Sequence, residues 1–238
     1  ILSVTSAKEP LPSLPDADFF IVASFGKILP KEILDIPRQE ALNIHPSLLP
    51  KYRGPSPLQS QILADEKEVG VTVIKMDDQV DHGDIVESLK LKVESFKNQP
   101  PSFSELGKEL FIKGTGLLIE ALPKLVNGEI SLISQDDSKA TFTKKFEKKD
   151  GEIDLDGDPN KSAPDGFERT SRKAWLTYQA LSSTLGVFFF VKHKDKTIRV
   201  KITNAEFRDD KFLPIKVIPE GKKEMRYEDF VRGIRGSV

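Results

Sequence analysis

The sequence predicts an α/β domain followed by a small, mostly β domain. Short apolar runs alternate with segments of helical periodicity up to about residue 140, and such alternation is typical of a largely parallel sheet with helices beside it. Beyond that point, short β-like runs are separated by glycine and charge. We expect one domain over residues 1–136, a linker over 137–166 and a second domain over 167–238. Residues 150–166 of the linker are rich in Asp, Gly, Pro and Lys.

Each predicted element rests on an apolar run and on the residue that bounds it. Gly26 ends the first strand, Pro30 opens a short helix because proline is favoured in a first turn, and Pro46 ends the second strand. The alternating pattern of the fourth strand suits a half-buried edge. The predicted elements are, in chain order, a strand at 19–25, a helix at 31–34, a strand at 41–45, a helix at 58–64, strands at 71–76 and 85–93, a helix at 103–125, and strands at 186–191 and 197–202.

The composition narrows the class of protein. Hydrophobic residues make up 38% of the chain and charged residues 31%, as in soluble globular proteins. No apolar window is long enough for a membrane helix, and no secretory leader opens the sequence. The absence of cysteine excludes disulfides, thiolate metal sites and cysteine nucleophiles. We therefore expect a cytoplasmic protein without a membrane partner.

The net charge of −1 hides an asymmetry between the two halves. Residues 1–140 carry 15 basic and 21 acidic side chains, whereas residues 141–238 carry 21 basic and 16 acidic ones. A basic second half favours a polyanionic partner. A lysine-rich solvated surface explains the same count, and the sequence leaves both interpretations open.

Asn43 and His45 are the strongest candidates for chemistry. Residues two apart in a strand point to the same face, so the amide and the imidazole are expected side by side at the carboxyl end of a strand. An amide can donate to a developing oxyanion, and an imidazole can move protons near neutral pH. Asp81, in the loop after the next strand, is the leading carboxylate to orient the imidazole, because loops after adjacent parallel strands share one edge of the sheet.

These residues also have structural interpretations. A single histidine at a strand end is more often structural than catalytic, and Asn43 could bond only to backbone. The acidic run from Asp77 to Asp84 could be a solvated turn; it lacks the spacing of a calcium loop, so we expect no metal. His82 is interpreted as non-catalytic and His193 as solvated.

Two stretches carry a resemblance to a known family. Residues 41–57 read A-L-N-I-H-P-S-L-L-P-K-Y-R-G-P-S-P, and residues 70–84 read G-V-T-V-I-K-M-D-D-Q-V-D-H-G-D. Together they resemble the formyltransferases that use 10-formyltetrahydrofolate. Residues 22–30 are similar to the family's folate-pocket segment, and 140–154 and 218–233 are similar to the linker and to the end of the C-terminal domain in its methionyl-tRNA branch.

The resemblance implies a fold, a site and two substrates. The fold would be a Rossmann-like formyltransferase domain followed by an OB-like, tRNA-binding barrel, and the protein is expected to be a monomer. The formyl group of 10-formyltetrahydrofolate would pass directly to the amine of initiator methionyl-tRNA. The implied catalytic residues are Asn43, His45 and Asp81. The implied folate-binding residues are Phe25, Gly26, Ile28, Leu29, Ser47, Leu48, Leu49, Pro50, Asp77, Asp78, Gln79 and Val80. The residues expected to bind tRNA are Arg53, Lys144, Lys145, Lys148, Lys149, Lys222 and Lys223.

The family's N-terminal strands have no match in this chain, which begins at Ile1, just before the family's fourth strand. We therefore expect a formyltransferase domain truncated at its N-terminus, with an apolar edge on its sheet. Two other functions stay open. One is a sister enzyme, a sugar-amine N-formyltransferase or a formyltetrahydrofolate hydrolase. The other is an inactive RNA- or folate-binding module.

Overall fold

The computed structural model describes residues 16–26, 29–97, 100–155, 167–193 and 196–235, with the backbone alone for 167–170 and 235. The chain divides into two compact units. The first comprises residues 1–61, 67–96 and 105–145, and the second comprises 62–66, 97–104 and 146–238. Within the described residues, no helix has both the length and the apolar character that crossing a membrane requires.

The first unit is built on a four-stranded mixed sheet. Its strands lie side by side in chain order: β1 (Phe19–Ala23), β2 (Glu40–His45), β3 (Glu68–Lys75) and β4 (Ile85–Lys92). Only β1 and β2 are parallel, and the other two pairs are antiparallel. The predicted, largely parallel sheet is therefore wrong. A parallel pair needs a crossover of about a dozen residues or more, and the loop between β3 and β4 is too short to provide one.

Three helices accompany this sheet: α1 (Lys31–Leu34), α2 (Pro57–Leu63) and α3 (Phe103–Val126). The long helix α3 buries Leu106, Leu110 and Leu118 at helical spacing. Gly114 lies on the same face, and a Cβ there would come within 2.5 Å of Ile44 Cγ2 and 2.7 Å of Val71 Cγ2. The close approach holds α3 against β2 and β3, whose apolar residues form the core.

β1 forms one edge of the sheet. Among the described residues its free side pairs with no strand, and Ile21 at its centre is 44% exposed. The strand was predicted from its apolar content, and only Phe19, Phe20 and Val22 are half-buried.

The second unit contains an antiparallel meander and two helices. Its strands are β5 (Val187–His193), β6 (Lys196–Arg208), β7 (Lys211–Pro219) and β8 (Met225–Arg226), and its helices are α4 (Phe167–Leu181) and α5 (Tyr227–Arg235). Phe189 on the inner face of β5 contacts the rings of Tyr227 and Phe230 on α5. The described strands form an open sheet in which β5 and β8 are the edges, and the OB-like barrel stays a prediction.

The sequence did not predict β7, β8, α4 or α5. Pro214 interrupts β7, and proline argues against a central strand because it has no N–H for the ladder. The structure tolerates Pro214 because it pairs with Ala205, where the β6–β7 register shifts. The ladder is already irregular there, so the missing donor costs little.

Candidate active site

Asn43 and His45 project from the same face of β2, opposite to the core residues Leu42 and Ile44. Both side chains meet Asp81: Asn43 Nδ2 lies 3.4 Å from Asp81 Oδ1, and His45 Nδ1 lies 3.4 Å from the same oxygen. All three are largely buried, and the side chain of His45 is only 5% exposed. The structure therefore brings together the three residues that the sequence suggested.

Asp81 reaches this position by a route that the sequence did not predict. Because β2 and β3 are antiparallel, the loop after β3 leaves the sheet beside the start of β2, where Met76 N donates to Ala41 O. The loop then folds back along β2 toward Asn43 and His45. The expectation that neighbouring parallel strands place Asp81 there is wrong, although the three side chains do meet.

The loop that carries Asp81 is tightly bent. Asp81 has a φ of 50°, in the left-handed region that non-glycine residues seldom occupy. Gly83 passes so close to β3 that an added Cβ would lie 1.8 Å from Lys75 O. Asp81 Oδ2 accepts a hydrogen bond from the backbone N–H of Gly54 at 2.7 Å. The carboxylate is thus fixed from both of its oxygens.

The surroundings of Asp81 favour its charged form. Burial alone would raise the pKa of this carboxyl group, but the hydrogen bond and charge of His45, the Gly54 N–H and the charge of Arg53 together lower it. The second ring nitrogen of His45, Nε2, lies 3.0 Å from the carbonyl oxygen of Tyr52. A carbonyl and a carboxylate only accept hydrogen bonds, so an imidazolium with a proton on each nitrogen can donate to both.

The loop at 46–56, predicted to flank the active site, is braced by its own polar groups. Thr72 Oγ1 on β3 donates to Ser47 O at 2.7 Å and accepts from Leu49 N at 3.2 Å, and Ser47 Oγ donates to Lys51 O. Leu48 packs so closely over Gly70 that a Cβ there would lie 2.4 Å from Leu48 Cδ2. Ser47 and Leu49 are buried, and Leu48 and Pro50 are half-buried. Their role in folate binding stays a prediction.

The other predicted folate residues lie at two places in the first unit. Phe25 and Leu29 are half-buried after β1, and Gly26 between them has a φ of 63° with no atom within 4 Å of the point that a Cβ would occupy. Ile28 lies outside the described residues. In the loop after β3, Asp77 Oδ1 accepts from Gln79 N at 2.9 Å, while Asp78, Gln79 and Val80 are exposed.

Arg53 was predicted to bind tRNA, but its guanidinium is occupied within the protein. Its side chain is only 4% exposed. Nε and Nη2 donate to Gln135 Oε1 at 3.1 and 2.8 Å, and Nη2 also donates to Asp137 Oδ1 at 2.8 Å. A buried guanidinium with these partners is not presented to a phosphate, so we leave Arg53 out of the tRNA surface. Its positive charge instead contributes to the low pKa of Asp81.

Gln135 is a site residue that the sequence did not reveal. Its Nε2 donates to the backbone carbonyl oxygens of Asp81 at 2.9 Å and of Gly83 at 2.7 Å. No motif marked it, because a lone glutamine in a polar segment resembles any surface residue. Gln135 finds its partners only because its segment of the chain lies next to the loop that carries Asp81.

Part of the predicted linker belongs to the first unit. Thr141 Oγ1 accepts from Tyr52 N at 2.8 Å, and Thr143 Oγ1 accepts from Ser56 N at 3.1 Å. Phe142 also pairs with Arg53 as an isolated parallel bridge. Residues 141–143 therefore pack against the loop at 46–56 rather than forming a free linker.

The lysines predicted to bind tRNA are all exposed. Lys149, in the 3₁₀ turn Lys148–Gly151, forms an ion pair with Glu147. Lys222 lies at the turn after β7, on a cavity of about 570 Å³ that His193 and Phe230 also line. The exposed lysines are Lys144, Lys145, Lys148, Lys149, Lys222 and Lys223. Their contact with RNA stays a prediction. Within the described ranges, no group of three or more acidic or histidine side chains is placed to hold a metal ion.

Comparison with known proteins first gives the class of enzyme. Residues 12–109 match the family model described as formyl transferase. The fold is similar to that of a methionyl-tRNA formyltransferase from Clostridium thermocellum, with a TM-score of 0.57 and 20% identity over 88% of this chain and 78% of that one. It is also similar to HypX from Aquifex aeolicus, solved in complex with tetrahydrofolic acid, with a TM-score of 0.64 and 17% identity over 93% of this chain and 39% of that one.

The relatives in sequence define the family more closely than the class of formyl transferases. The chain is 31% identical over 228 residues to a methionyl-tRNA formyltransferase of Bacillus velezensis, and the match covers 91% of this chain and 70% of the relative. It is 45% identical over 139 residues to the one of Chloroflexus aggregans, covering 58% of this chain and 43% of that relative. The chain belongs to the methionyl-tRNA formyltransferase family.

Proposed function

We propose that this chain transfers the formyl group of 10-formyltetrahydrofolate to the α-amine of initiator methionyl-tRNA, in translation initiation. The observation that carries the proposal is the buried cluster in which Asn43 and His45 share one oxygen of Asp81. An amide, an imidazole and a carboxylate in this arrangement suit acyl transfer. The family of the chain supports the same reaction.

Asn43 and His45 would stabilise the charge that develops on the formyl oxygen. The Asn43 amide has two hydrogens, of which one faces Asp81, and the other is the proposed donor to that oxygen. An imidazolium at His45 places a positive charge beside it. The Asp81 carboxylate, whose Oδ1 lies 3.4 Å from His45 Nδ1, would hold the ring in position. Such fixed donors act strongly because they lie away from bulk water.

The amine of the methionyl group must be neutral to attack. An α-amino group has a pKa of about 8, so a useful fraction is free at pH 7. Its nitrogen forms a bond to the formyl carbon, and the electron pair of the C=O bond moves onto the formyl oxygen as an oxyanion. When the C=O bond forms again, the bond from that carbon to the folate nitrogen breaks, and the proton that the amine loses balances the proton that the folate nitrogen gains. The folate supplies the activated formyl group. No covalent bond to the chain is needed.

We propose that the folate ring lies between the end of β1 and the loop after β3. Phe25 and Leu29 offer apolar surface there, Gly26 leaves room for a ring to approach the backbone, and Val80 is 42% exposed on the loop. These groups suit a flat heterocycle with polar edges. Ser47 to Pro50 would border the same pocket. The bound tetrahydrofolic acid in the similarly folded HypX supports this choice of ligand.

For the tRNA we propose a basic and aromatic face on the second unit. The ladder sets Phe190 opposite Arg199 and Phe188 opposite Lys201. Phe190 is 48% exposed, and the Arg199 guanidinium lies 3.7 Å from the centre of the Phe188 ring. Phe188 itself is buried, so Phe190 is the ring that the face exposes. An exposed aromatic ring beside cationic side chains is typical of surfaces that bind RNA. The exposed lysines of this unit at 148, 149, 222 and 223 would add phosphate contacts. Lys144 and Lys145, which belong to the first unit, are proposed as separate phosphate contacts.

The test is a formylation assay on this chain with 10-formyltetrahydrofolate and a panel of acceptors. We expect formyl-methionyl-tRNA and no product on amino sugars. Lys201→Ala should raise the KM for tRNA several-fold with kcat unchanged, because phosphate contacts act on binding. Formyl transfer to a sugar amine alone, or release of formate without an acceptor, would instead identify a sister enzyme. Binding of tRNA or folate without turnover would identify an inactive binding module.

A further inference from the structure

His82, which the proposed chemistry does not use, is held between two carboxylates. Its Nδ1 lies 2.6 Å from Asp77 Oδ2, and its Nε2 lies 3.5 Å from Asp137 Oδ2. Asp77 begins the loop that carries Asp81, whereas Asp137 belongs to the segment that follows α3 along the chain. We propose that His82 is a positioning residue that fixes the Asp81 carboxylate for the reaction. The expected effect on kcat rests on the proposed function, whereas the effect on the position of Asp81 does not.

A continuous chain of contacts leads from His82 back to Asp81. Asp137 Oδ1 accepts from Arg53 Nη2 at 2.8 Å, and Arg53 donates twice to Gln135 Oε1. Gln135 in turn donates to Asp81 O and Gly83 O, on either side of His82. The chain of contacts thus begins at the side chain of His82 and ends on the backbone of its two neighbours. We refer to His82, Asp137, Arg53 and Gln135 as the loop clamp.

The loop needs such a clamp because its backbone is not relaxed. Asp81 has a left-handed φ of 50°, which is unfavourable for a non-glycine residue unless the surroundings hold it. The two carbonyl groups that Gln135 binds are those of Asp81 itself and of Gly83. Loosening the clamp would therefore let Asp81 relax and withdraw its oxygens from His45 and Gly54.

The clamp depends on the protonation of His82. Both of its partners are carboxylates, which only accept hydrogen bonds, so only a ring with a proton on each nitrogen can donate to both. The charged groups that face it are Asp77 and Asp137, with Arg53 beyond Asp137. The hydrogen bond to Asp77 is the main cause that raises the pKa of His82, and the charges of both carboxylates add to it, while partial burial and Arg53 oppose it.

The direction of the pH dependence follows. Because the pKa of His82 is raised in the folded protein, its contacts stabilise the fold fully below the ordinary value of 6.5. This stabilisation is lost as the pH rises through the raised value. Above it, one ring nitrogen turns a lone pair toward a carboxylate. The longer contact, from Nε2 to Asp137, is the one that should open first.

The experiment compares the full chain with His82→Gln by NMR and by kinetics. The chain has only three histidines, so the ring signals of His82 can be assigned and titrated. The Gly54 amide, which donates to Asp81 Oδ2, reports the position of the carboxylate. We expect its chemical shift to titrate with the midpoint of His82 in the native chain and to lose that midpoint in His82→Gln. His193→Gln, in the second unit, is the matched control and should leave the Gly54 titration unchanged.

The kinetic readout separates positioning from a general loss of structure. We expect His82→Gln to lower kcat on the order of 10-fold below the midpoint, where a small displacement of a reacting group is costly, and the deficit to shrink above it, with the KM for tRNA unchanged. A deficit that is equal at every pH would overturn the proposal. So would a Gly54 amide that titrates alike in both proteins. Because the NMR readout needs no turnover, it tests the clamp even if the chain forms no formylated product.

Discussion

At the scale of single residues, three groups contact the carboxylate of Asp81. His45 and Asn43 approach one oxygen, and the Gly54 N–H binds the other. Since the groups around it favour the charged form, its pKa lies below the ordinary value of 3.8. The chain therefore holds a carboxylate, rather than a carboxylic acid, beside His45 across the whole physiological pH range.

The low pKa of Asp81 predicts how stability depends on pH. A pKa lowered on folding contributes stability that is present above the ordinary value and is lost as the pH falls through the lowered one. We expect Asp81→Asn to lower the free energy of unfolding by about 1.5–3 kcal/mol at pH 7, the range for hydrogen bonds to charged groups. The difference from the native chain should shrink below about pH 4. Urea unfolding at both pH values measures it, and a difference that is constant with pH would contradict the account.

The site residues differ in how far the sequence could predict them. Asn43, His45 and Asp81 stand in recognisable motifs, and their side chains do meet. Gln135 and Asp137 carry no motif, and their contacts depend on how residues 133–143 return to the loops after β2 and β3. Arg53 was predicted to bind tRNA, and the sequence did not reveal that its guanidinium is buried among Gln135 and Asp137.

At the scale of elements, the contact between α3 and the sheet holds β2 in place. Gly114 allows the helix to approach Ile44, which lies between Asn43 and His45 on β2. The opposite faces of one strand thus carry the core and the candidate site. A change in the packing of α3 should therefore reach the site through the position of β2.

Gly114 and Gly116 form a matched pair for testing this contact. We expect Gly114→Ala to lower the free energy of unfolding by about 1–3 kcal/mol, because the new Cβ overpacks against Ile44 and Val71. Gly116→Ala, with nothing within 4 Å of its Cβ, should leave stability unchanged or raise it by about 0.5–1 kcal/mol, since alanine favours helix. Thermal and urea unfolding measure both. Equal effects of the two substitutions would show that the close approach does not matter.

The direction of the strands was harder to predict than their existence. Each predicted element of the first unit is present, because apolar runs and their glycine and proline boundaries are local signals. The direction of β3 depends on the path of the chain between β2 and β3, and no local sequence pattern predicts that path. In the second unit, β7 was not predicted because Pro214 argues against a central strand. The short strand β8 has too few residues for a periodic pattern.

At the scale of the whole molecule, the charge asymmetry of the sequence corresponds to the division into two units. The second unit, which holds most of the basic half of the chain, carries Arg199 and Lys201 on the strand face that also exposes Phe190. The first unit holds the buried cluster around Asp81. We therefore propose that the chemistry belongs to the first unit and that RNA binding belongs to the second.

The central claim is that Asn43 and His45 stabilise the charge on the formyl oxygen, and single-turnover formylation of methionyl-tRNA tests it most directly. We expect Asn43→Ala and His45→Ala each to reduce the rate at least about 100-fold, the loss of about 3 kcal/mol or more that follows removal of such a donor, with folding and tRNA binding intact. A near-native rate in either folded variant would contradict the assignment of the active site.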